Sequence, residues 1–139
     1  MIQATNIQKF YGKLQVLKGV DLHIKRGEIV SIVGPSGAGK TTLLQILGTL
    51  DVQSNKVDSR LLINDVEVTD LSDNELAKFR NEHIGFIFQF HQLLPEFTAI
   101  ENVCIPGYIQ KNQKKEFEKS AKELLEFLKL THKIKNKNK

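Results

Sequence analysis

The chain has 139 residues, of which 40% are hydrophobic and 26% charged, and its formal net charge is +4. This length suits one domain with a core, and no apolar run approaches the roughly 18 residues that a bilayer span needs. The first residues show no secretory-signal pattern. Cys104, the single cysteine, excludes an internal disulfide and fits a reducing compartment, and the four histidines offer no metal-ligand spacing with it.

The first third of the chain predicts antiparallel strands, then a buried strand, a loop and a helix. Residues 2–24 alternate between apolar and polar, with a turn at "YGK". The β-branched run "IVSIV", residues 29–33, predicts a strand buried on both faces of a parallel sheet. After Lys40 the leucines and isoleucines fall at helical spacing. The glycine-rich stretch 34–42 therefore joins a buried strand to a helix.

The middle of the chain predicts a loop, a hairpin and a helix. Residues 51–60 are polar and predict a loop, and 61–68, "LLINDVEV", predict a hairpin that turns at Asn64-Asp65. Ser72 and Glu75 form a capping box for a helix to about residue 82.

A second buried strand and two more helices follow. "IGFIF", residues 84–88, predicts the strand, which ends at Gln89, and Thr98 with Glu101 caps a short helix over 98–105. Residues 113–130 predict an amphipathic helix. Its apolar face is formed by Phe117, Ala121, Leu124 and Leu128.

The positive charge belongs to the C-terminal end. Residues 111–139 contain ten lysines and four glutamates, whereas residues 1–110 are slightly acidic. Aromatic side chains are not interleaved with these lysines in the way that a strand-binding surface requires. We therefore predict no nucleic-acid partner, and interpret 131–139 as a disordered or aberrant tail after a solvated helix.

The stretch "GPSGAGKTT" carries the clearest chemistry. It matches G-x-x-x-x-G-K-[ST] at every fixed position, between the strand and the helix that such a loop requires. Backbone N–H groups and the helix N-terminus suit phosphate oxygens, the lysine suits the β- and γ-phosphates, and the first threonine hydroxyl suits Mg²⁺. The predicted nucleotide contacts are Gly34, Pro35, Ser36, Gly37, Ala38, Gly39, Lys40, Thr41 and Thr42.

A guanine-reading motif would indicate a GTPase, and "NKVD" occurs at residues 55–58. It directly follows the first helix, precedes the hairpin and has no apolar strand before it, so we interpret it as a surface loop. A nucleotide kinase would be expected to carry an arginine-rich lid, and residues 112–127 contain no arginine.

The order of these segments resembles the ATP-binding subunits of ABC transporters, from residue 2 to about residue 128. "YGKLQVLKGVDLHIKRGEIVSIVGPSGAGKTTLLQILGTLD" is similar to the family's adenine-contacting strand, antiparallel sheet and Walker A loop. "IGFIFQFHQLLPEFTAIENV" is similar to its Q-loop region, closest to the lipoprotein-releasing and macrolide-export branch. The implied fold is an α/β P-loop NTPase, with an N-terminal antiparallel β part and a mostly parallel core sheet that is incomplete at the C-terminus.

The resemblance also implies roles for individual residues. Tyr11 would stack on adenine, Gln89 would sense Mg²⁺ and the γ-phosphate, and Lys40 would act with Gln89 in catalysis. Thr41 and Gln89 would contact the metal. The cofactors would be ATP and Mg²⁺. The partners would be transmembrane permease subunits and a second ATP-binding subunit, dimerised across ATP at the cytoplasmic face of the inner membrane.

Two further features qualify this expectation. The family's signature "LSGGQ", Walker B strand and switch histidine do not occur after Gln89. We therefore expect residues 1–139 to be the N-terminal portion of an ATP-binding domain, inactive alone; a non-catalytic nucleotide-binding protein is the alternative. The apolar side chains Phe90, Leu93, Leu94 and Phe97 either cover the domain's own core or face a membrane-subunit helix.

Overall fold

The structure, a computed structural model, describes residues 1–55, 57–90, 93–109, 114–134 and 136. The chain forms two compact units, Met1–Ile84 and Gly85–Lys139. The first is built on a sheet and the second on helices.

The first unit contains the antiparallel sheet that the sequence predicts. Its strands are β1 (Ile2–Tyr11), β2 (Leu14–Ile24), β3 (Arg60–Ile63) and β4 (Val66–Glu67), in the order β2-β1-β3-β4. All three pairings are antiparallel. Helix α1 (Lys40–Leu47), a 3₁₀ turn (Val68–Asp70) and helix α2 (Asp73–His83) complete the unit.

The core of this unit lies between the sheet and its helices. Helix α1 contributes Leu43, Ile46 and Leu47, which are buried because the i, i+3 and i+4 positions share one helix face. The remaining buried apolar side chains come from the strands, the 3₁₀ turn and α2, and are Ala4, Ile7, Leu17, Leu61, Ile63, Val68 and Phe79.

The predictions of strands over 29–33 and 84–88 are wrong for this structure. Within the ranges that it describes, neither run is a strand or pairs with one. Ile29 and Val33 are 96% and 85% exposed, and Ile87 is fully exposed. A β-branched run becomes a buried parallel strand only when neighbouring strands satisfy its backbone groups and helices cover its faces. No such neighbour is present among the described residues.

Residues 51–55 and 57–59 form a loop as predicted, β3 begins already at Arg60, and the loop is tied to β1. Ser59 is fully buried, and its hydroxyl donates a hydrogen bond to the Asn6 carbonyl at 2.6 Å. The predicted hairpin turn is confirmed, since Asn64 and Asp65 both adopt left-handed φ values of 49° and 66°. The capping box of Ser72 at the start of α2 is also confirmed.

The second unit packs helix α3 (Ala99–Ile109) against helix α4 (Lys114–Phe127), with a 3₁₀ turn at Thr131–Lys133. The Thr98 hydroxyl and backbone N–H both donate to the Glu101 carboxylate, at 2.7 and 2.8 Å, so the second capping box is confirmed. The helices meet closely at Gly107, where an added Cβ would lie 2.4 Å from the Phe117 ring.

The predicted apolar face of α4 is partly wrong. Ala121 is buried as expected, but Leu124 and Leu128 are half-exposed and Leu125 is buried instead. Phe117, Ala121 and Leu125 follow an i, i+4, i+8 line along α4, and Phe117 meets α3 at Gly107. Of the tail predicted over 131–139, residues 135 and 137–139 lie outside the described residues.

Among the helices that the structure describes, none has both the length and the apolar composition needed to cross a bilayer.

Candidate nucleotide-binding site

The glycine-rich loop leads directly into α1 and is packed against β2. Gly39, at the N-cap of α1, has φ 86°, a left-handed value that side chains disfavour. A Cβ at this position would lie 3.0 Å from the side chains of both Val16 and Leu17 and 3.3 Å from the Val16 carbonyl oxygen. Glycine is therefore required here both for backbone conformation and for close packing on the sheet.

The N-terminus of α1 suits an anion. The first hydrogen bond of the helix runs from the Leu43 N–H to the Gly39 carbonyl at 2.8 Å, and no side chain caps the start of the helix. The first N–H groups of a helix have no intrahelical acceptor, and the helix dipole places partial positive charge there. An uncapped N-terminus after a glycine-rich loop is thus a ready site for phosphate oxygens.

Lys40 brings a full positive charge to the same loop. Its ammonium donates to the carbonyl oxygens of Gly34, at 2.9 Å, and Pro35, at 2.6 Å. These bonds fold the side chain back over the beginning of the loop, where phosphate oxygens would be alternative acceptors. Thr41, in the first turn of α1, is exposed, and Thr42 is half-buried. The predicted phosphate contacts therefore all lie in one continuous loop and helix turn.

Tyr11, the predicted base contact, ends β1 in this same unit. Its side chain is half-exposed, and its hydroxyl donates a 3.0 Å hydrogen bond to Asp51. The Lys9 ammonium donates to the other oxygen of that carboxylate at 2.6 Å and to the Val52 carbonyl at 2.7 Å. It also lies 5.2 Å from the centre of the Tyr11 ring, in cation–π range.

The Asp51 carboxylate is held in its charged form. Partial burial alone would raise its pKa, but hydrogen bonds from Lys9, Val52 and Tyr11 and the charge of Lys9 lower the pKa below its usual 3.8. Neither Lys9 nor Asp51 was predicted from the sequence. Lys9 lies two residues after buried Ile7 and therefore on the same face of β1. A charged side chain on a buried face needs a partner, and this position was the signal in the sequence.

Gln89, the predicted metal and γ-phosphate contact, belongs to the second unit and is exposed. Its role stays a prediction. Within the described residues, no three histidine, cysteine, aspartate or glutamate side chains stand together as a protein-built metal site would require. Four apolar side chains near Gln89 are between 40% and 73% exposed rather than packed in a core, namely Phe90, Leu93, Leu94 and Phe97.

Asn102 is a further residue that was not predicted from the sequence. Its side-chain amide donates to the carbonyls of Leu94 and Thr98, at 3.1 and 3.0 Å, and its oxygen accepts the Leu94 N–H at 2.8 Å. One side chain on α3 thus holds the loop that follows Gln89. In the sequence, an asparagine near the start of a helix cannot be distinguished from an ordinary exposed helical residue, so this role could not be predicted.

The family model described as "ABC transporter" matches residues 17–139. The chain belongs to the ABC transporter family. The match includes the loop, α1 and Gln89, so the resemblance proposed from the sequence is confirmed.

Similar proteins point to one branch of this family. The chain is 54% identical over 137 residues to the lipoprotein-releasing system ATP-binding protein LolD of Bacteroides fragilis, and 55% identical to that of Bacteroides thetaiotaomicron. Each alignment covers 99% of this chain and 62% of the relative. The chain therefore spans less than two thirds of the length of these relatives.

A solved structure supports the same fold. The chain is 39% identical to the ATP-binding cassette MJ0796, solved as a dimer in a post-hydrolysis state with ADP and phosphate, with a TM-score of 0.84. The match covers 99% of this chain and 61% of that one. The α/β P-loop NTPase fold class is confirmed by this neighbour, although the runs 29–33 and 84–88 form no strands here.

Proposed function

We propose that residues 34–42 bind the phosphates of ATP and that Tyr11 stacks on its base, in an ATP-binding subunit that serves lipoprotein release. The observation that carries this proposal is the uncapped start of α1 behind a glycine loop, with the Lys40 ammonium lying on that loop. The names of the relatives, which belong to the lipoprotein-releasing system, support the choice of transport process.

The residues present fit a nucleotide-bound Mg²⁺. Mg²⁺ keeps several waters and takes few protein ligands, so an exposed hydroxyl in the first turn of α1 suffices on the protein side of the loop. Thr41 supplies that hydroxyl, and a role for Gln89 as a further metal contact is proposed from the family resemblance alone. When bound, the ion would neutralise charge on the phosphate oxygens.

The proposed partners are a second ATP-binding subunit and transmembrane permease subunits at the cytoplasmic face of the inner membrane. The dimeric state of the MJ0796 cassette supports the first. The exposed apolar side chains after Gln89 support the second, because a helix of a membrane subunit would cover them.

Hydrolysis needs more groups than this chain provides. Phosphoryl transfer depends on placing the attacking water and stabilising the developing charge. The sequence contains no signature motif, Walker B aspartate or adjoining glutamate after Gln89. We therefore propose that the 139-residue chain binds ATP without turnover and that the complete domain hydrolyses it.

Calorimetric titration of ATP with Mg²⁺ tests the binding site. Lys40→Ala removes a charge-assisted contact, for which about 1.5–3 kcal/mol, or roughly ten- to a hundredfold in affinity, is expected. Lys78→Ala, which removes an exposed lysine from α2, is the matched control and should bind like wild type. Equal affinity of Lys40→Ala and wild type would contradict the proposed site.

A phosphate-release assay on the same three proteins tests turnover. We expect the rate of the wild-type chain to equal that of Lys40→Ala. Hydrolysis that is lost in Lys40→Ala and kept in Lys78→Ala would show that the chain is catalytically sufficient and would overturn this part of the proposal.

A further inference from the structure

We propose that Asp51 and Lys9 are positioning residues that fix the Tyr11 ring so that one of its faces is presented to a nucleotide base. This proposal rests on the proposed function for the nature of the ligand. The fixed ring itself is a property of the unliganded chain and is testable without nucleotide.

The contacts around the ring constrain it at two points. The hydroxyl donates a hydrogen bond to Asp51, which restricts rotation about the side-chain bonds, and the Lys9 ammonium covers one side of the ring. Nearly half of the Tyr11 side chain is nevertheless exposed. A base would therefore stack on the side away from Lys9.

The carboxylate is itself held rigidly. Asp51 accepts from Lys9 and from the Val52 N–H, at 2.6 and 2.7 Å, in addition to Tyr11. The Lys9 side chain is 10% exposed, so its charge depends on this carboxylate and on the Val52 carbonyl for solvation.

Asp51 lies beyond the C-terminal end of α1, whereas the phosphate loop lies at the N-terminal end of the same helix. Loss of Asp51 should therefore disturb the base contact and spare the phosphate contacts. A residue that merely stabilised the unit would affect both. This difference separates a positioning role from a structural one.

The first measurement is made without nucleotide. The chain has two tyrosines and no tryptophan, so a Tyr108→Phe background leaves Tyr11 as the only tyrosine. In this background a fixed ring gives a tyrosine signal in near-ultraviolet circular dichroism. We expect Asp51→Asn to remove most of this signal, and Asp70→Asn, which alters an exposed aspartate, to keep it. An unchanged signal in Asp51→Asn would overturn the proposal.

The second measurement compares the affinities of ATP and inorganic tripolyphosphate. Tyr11→Phe and Asp51→Asn should each weaken ATP binding roughly three- to tenfold, as the loss of one hydrogen bond implies, and leave tripolyphosphate affinity unchanged. The double variant should lose less than the product of the two single losses, because both remove the same bond. Equal losses for both ligands, or independent losses in the double variant, would overturn the positioning role.

These measurements separate the two proposals. If wild type binds neither ATP nor tripolyphosphate, the proposed function fails, and the circular dichroism result still decides whether Asp51 fixes the ring. If both ligands bind and the variants leave ATP affinity unchanged, the phosphate site stands and the positioning proposal is overturned.

Discussion

The two ends of helix α1 carry the two halves of the proposed nucleotide site, and these halves are built in different ways. At its start, the proposed phosphate-binding groups come from nine consecutive residues and are mostly backbone N–H groups, with one lysine. Beyond its end, the proposed base side is assembled from Lys9 and Tyr11 on β1 and from Asp51, about 40 residues further along the chain, and the three meet through their side chains. The phosphate side therefore depends on local conformation, and the base side on the fold of the whole first unit.

The largest expected effect is on the phosphate side. Gly39→Val places a branched side chain at φ 86°, and its Cβ would lie 3.0 Å from two side chains of β2. The backbone conformation and the close contact should each cost about 1–3 kcal/mol. We expect a loss of ATP affinity of roughly a hundredfold in calorimetry. Gly37→Val is the control, since its φ is 81° but no neighbour lies within 4 Å of an added Cβ. If both variants bind ATP equally well, packing of the loop on β2 is unimportant.

The base side should be less sensitive and less selective. Stacking on an aromatic ring contributes about 1–3 kcal/mol per base and uses a face that every base has. Tyr11→Ala should therefore weaken ATP and GTP by similar factors of about ten or more, and Tyr11→Phe, which keeps the ring, should cost less than Tyr11→Ala. Unchanged affinities for both nucleotides in Tyr11→Ala would make Tyr11 a structural residue.

The smallest expected effect is electrostatic. The pKa of Asp51 is lowered, so its ionised form stabilises the first unit at neutral pH, and this contribution is lost as the pH falls through the folded-state pKa. Lys9→Met removes the strongest lowering partner while leaving the carboxyl partly buried, so the pKa should rise. The pKa of Asp51 is measured in both proteins by following its carboxyl carbon by NMR during acid titration. An equal pKa in both proteins would contradict the ion pair.

Local patterns explain which features the sequence predicted well. The capping boxes of Ser72 and Thr98 and the Asn64-Asp65 turn depend on residues within three positions of each other, and the structure contains all of them. The glycine loop is equally local. Its packing on Val16 and Leu17 could not be predicted, because it depends on where β2 lies in the folded unit.

The wrong predictions concern residues whose state is set by distant partners. Residues 29–33 and 84–88 have the composition of buried strands, yet composition does not supply neighbouring strands. Likewise Leu125 rather than Leu124 is buried, because the position of α3 selects which line of α4 side chains is covered. The Lys9–Asp51–Tyr11 cluster could not be found from spacing for the same reason.

The central claim is that residues 34–42 hold the β- and γ-phosphates, with Lys40 as the main charge. Calorimetric titration of wild type and Lys40→Ala with ATP and AMP tests it most directly, because AMP keeps the base and lacks both of those phosphates. We expect wild type to bind ATP at least roughly tenfold more tightly than AMP, and Lys40→Ala to lose most of this preference without loss of AMP affinity. Equal affinities of wild type for ATP and AMP would contradict the account.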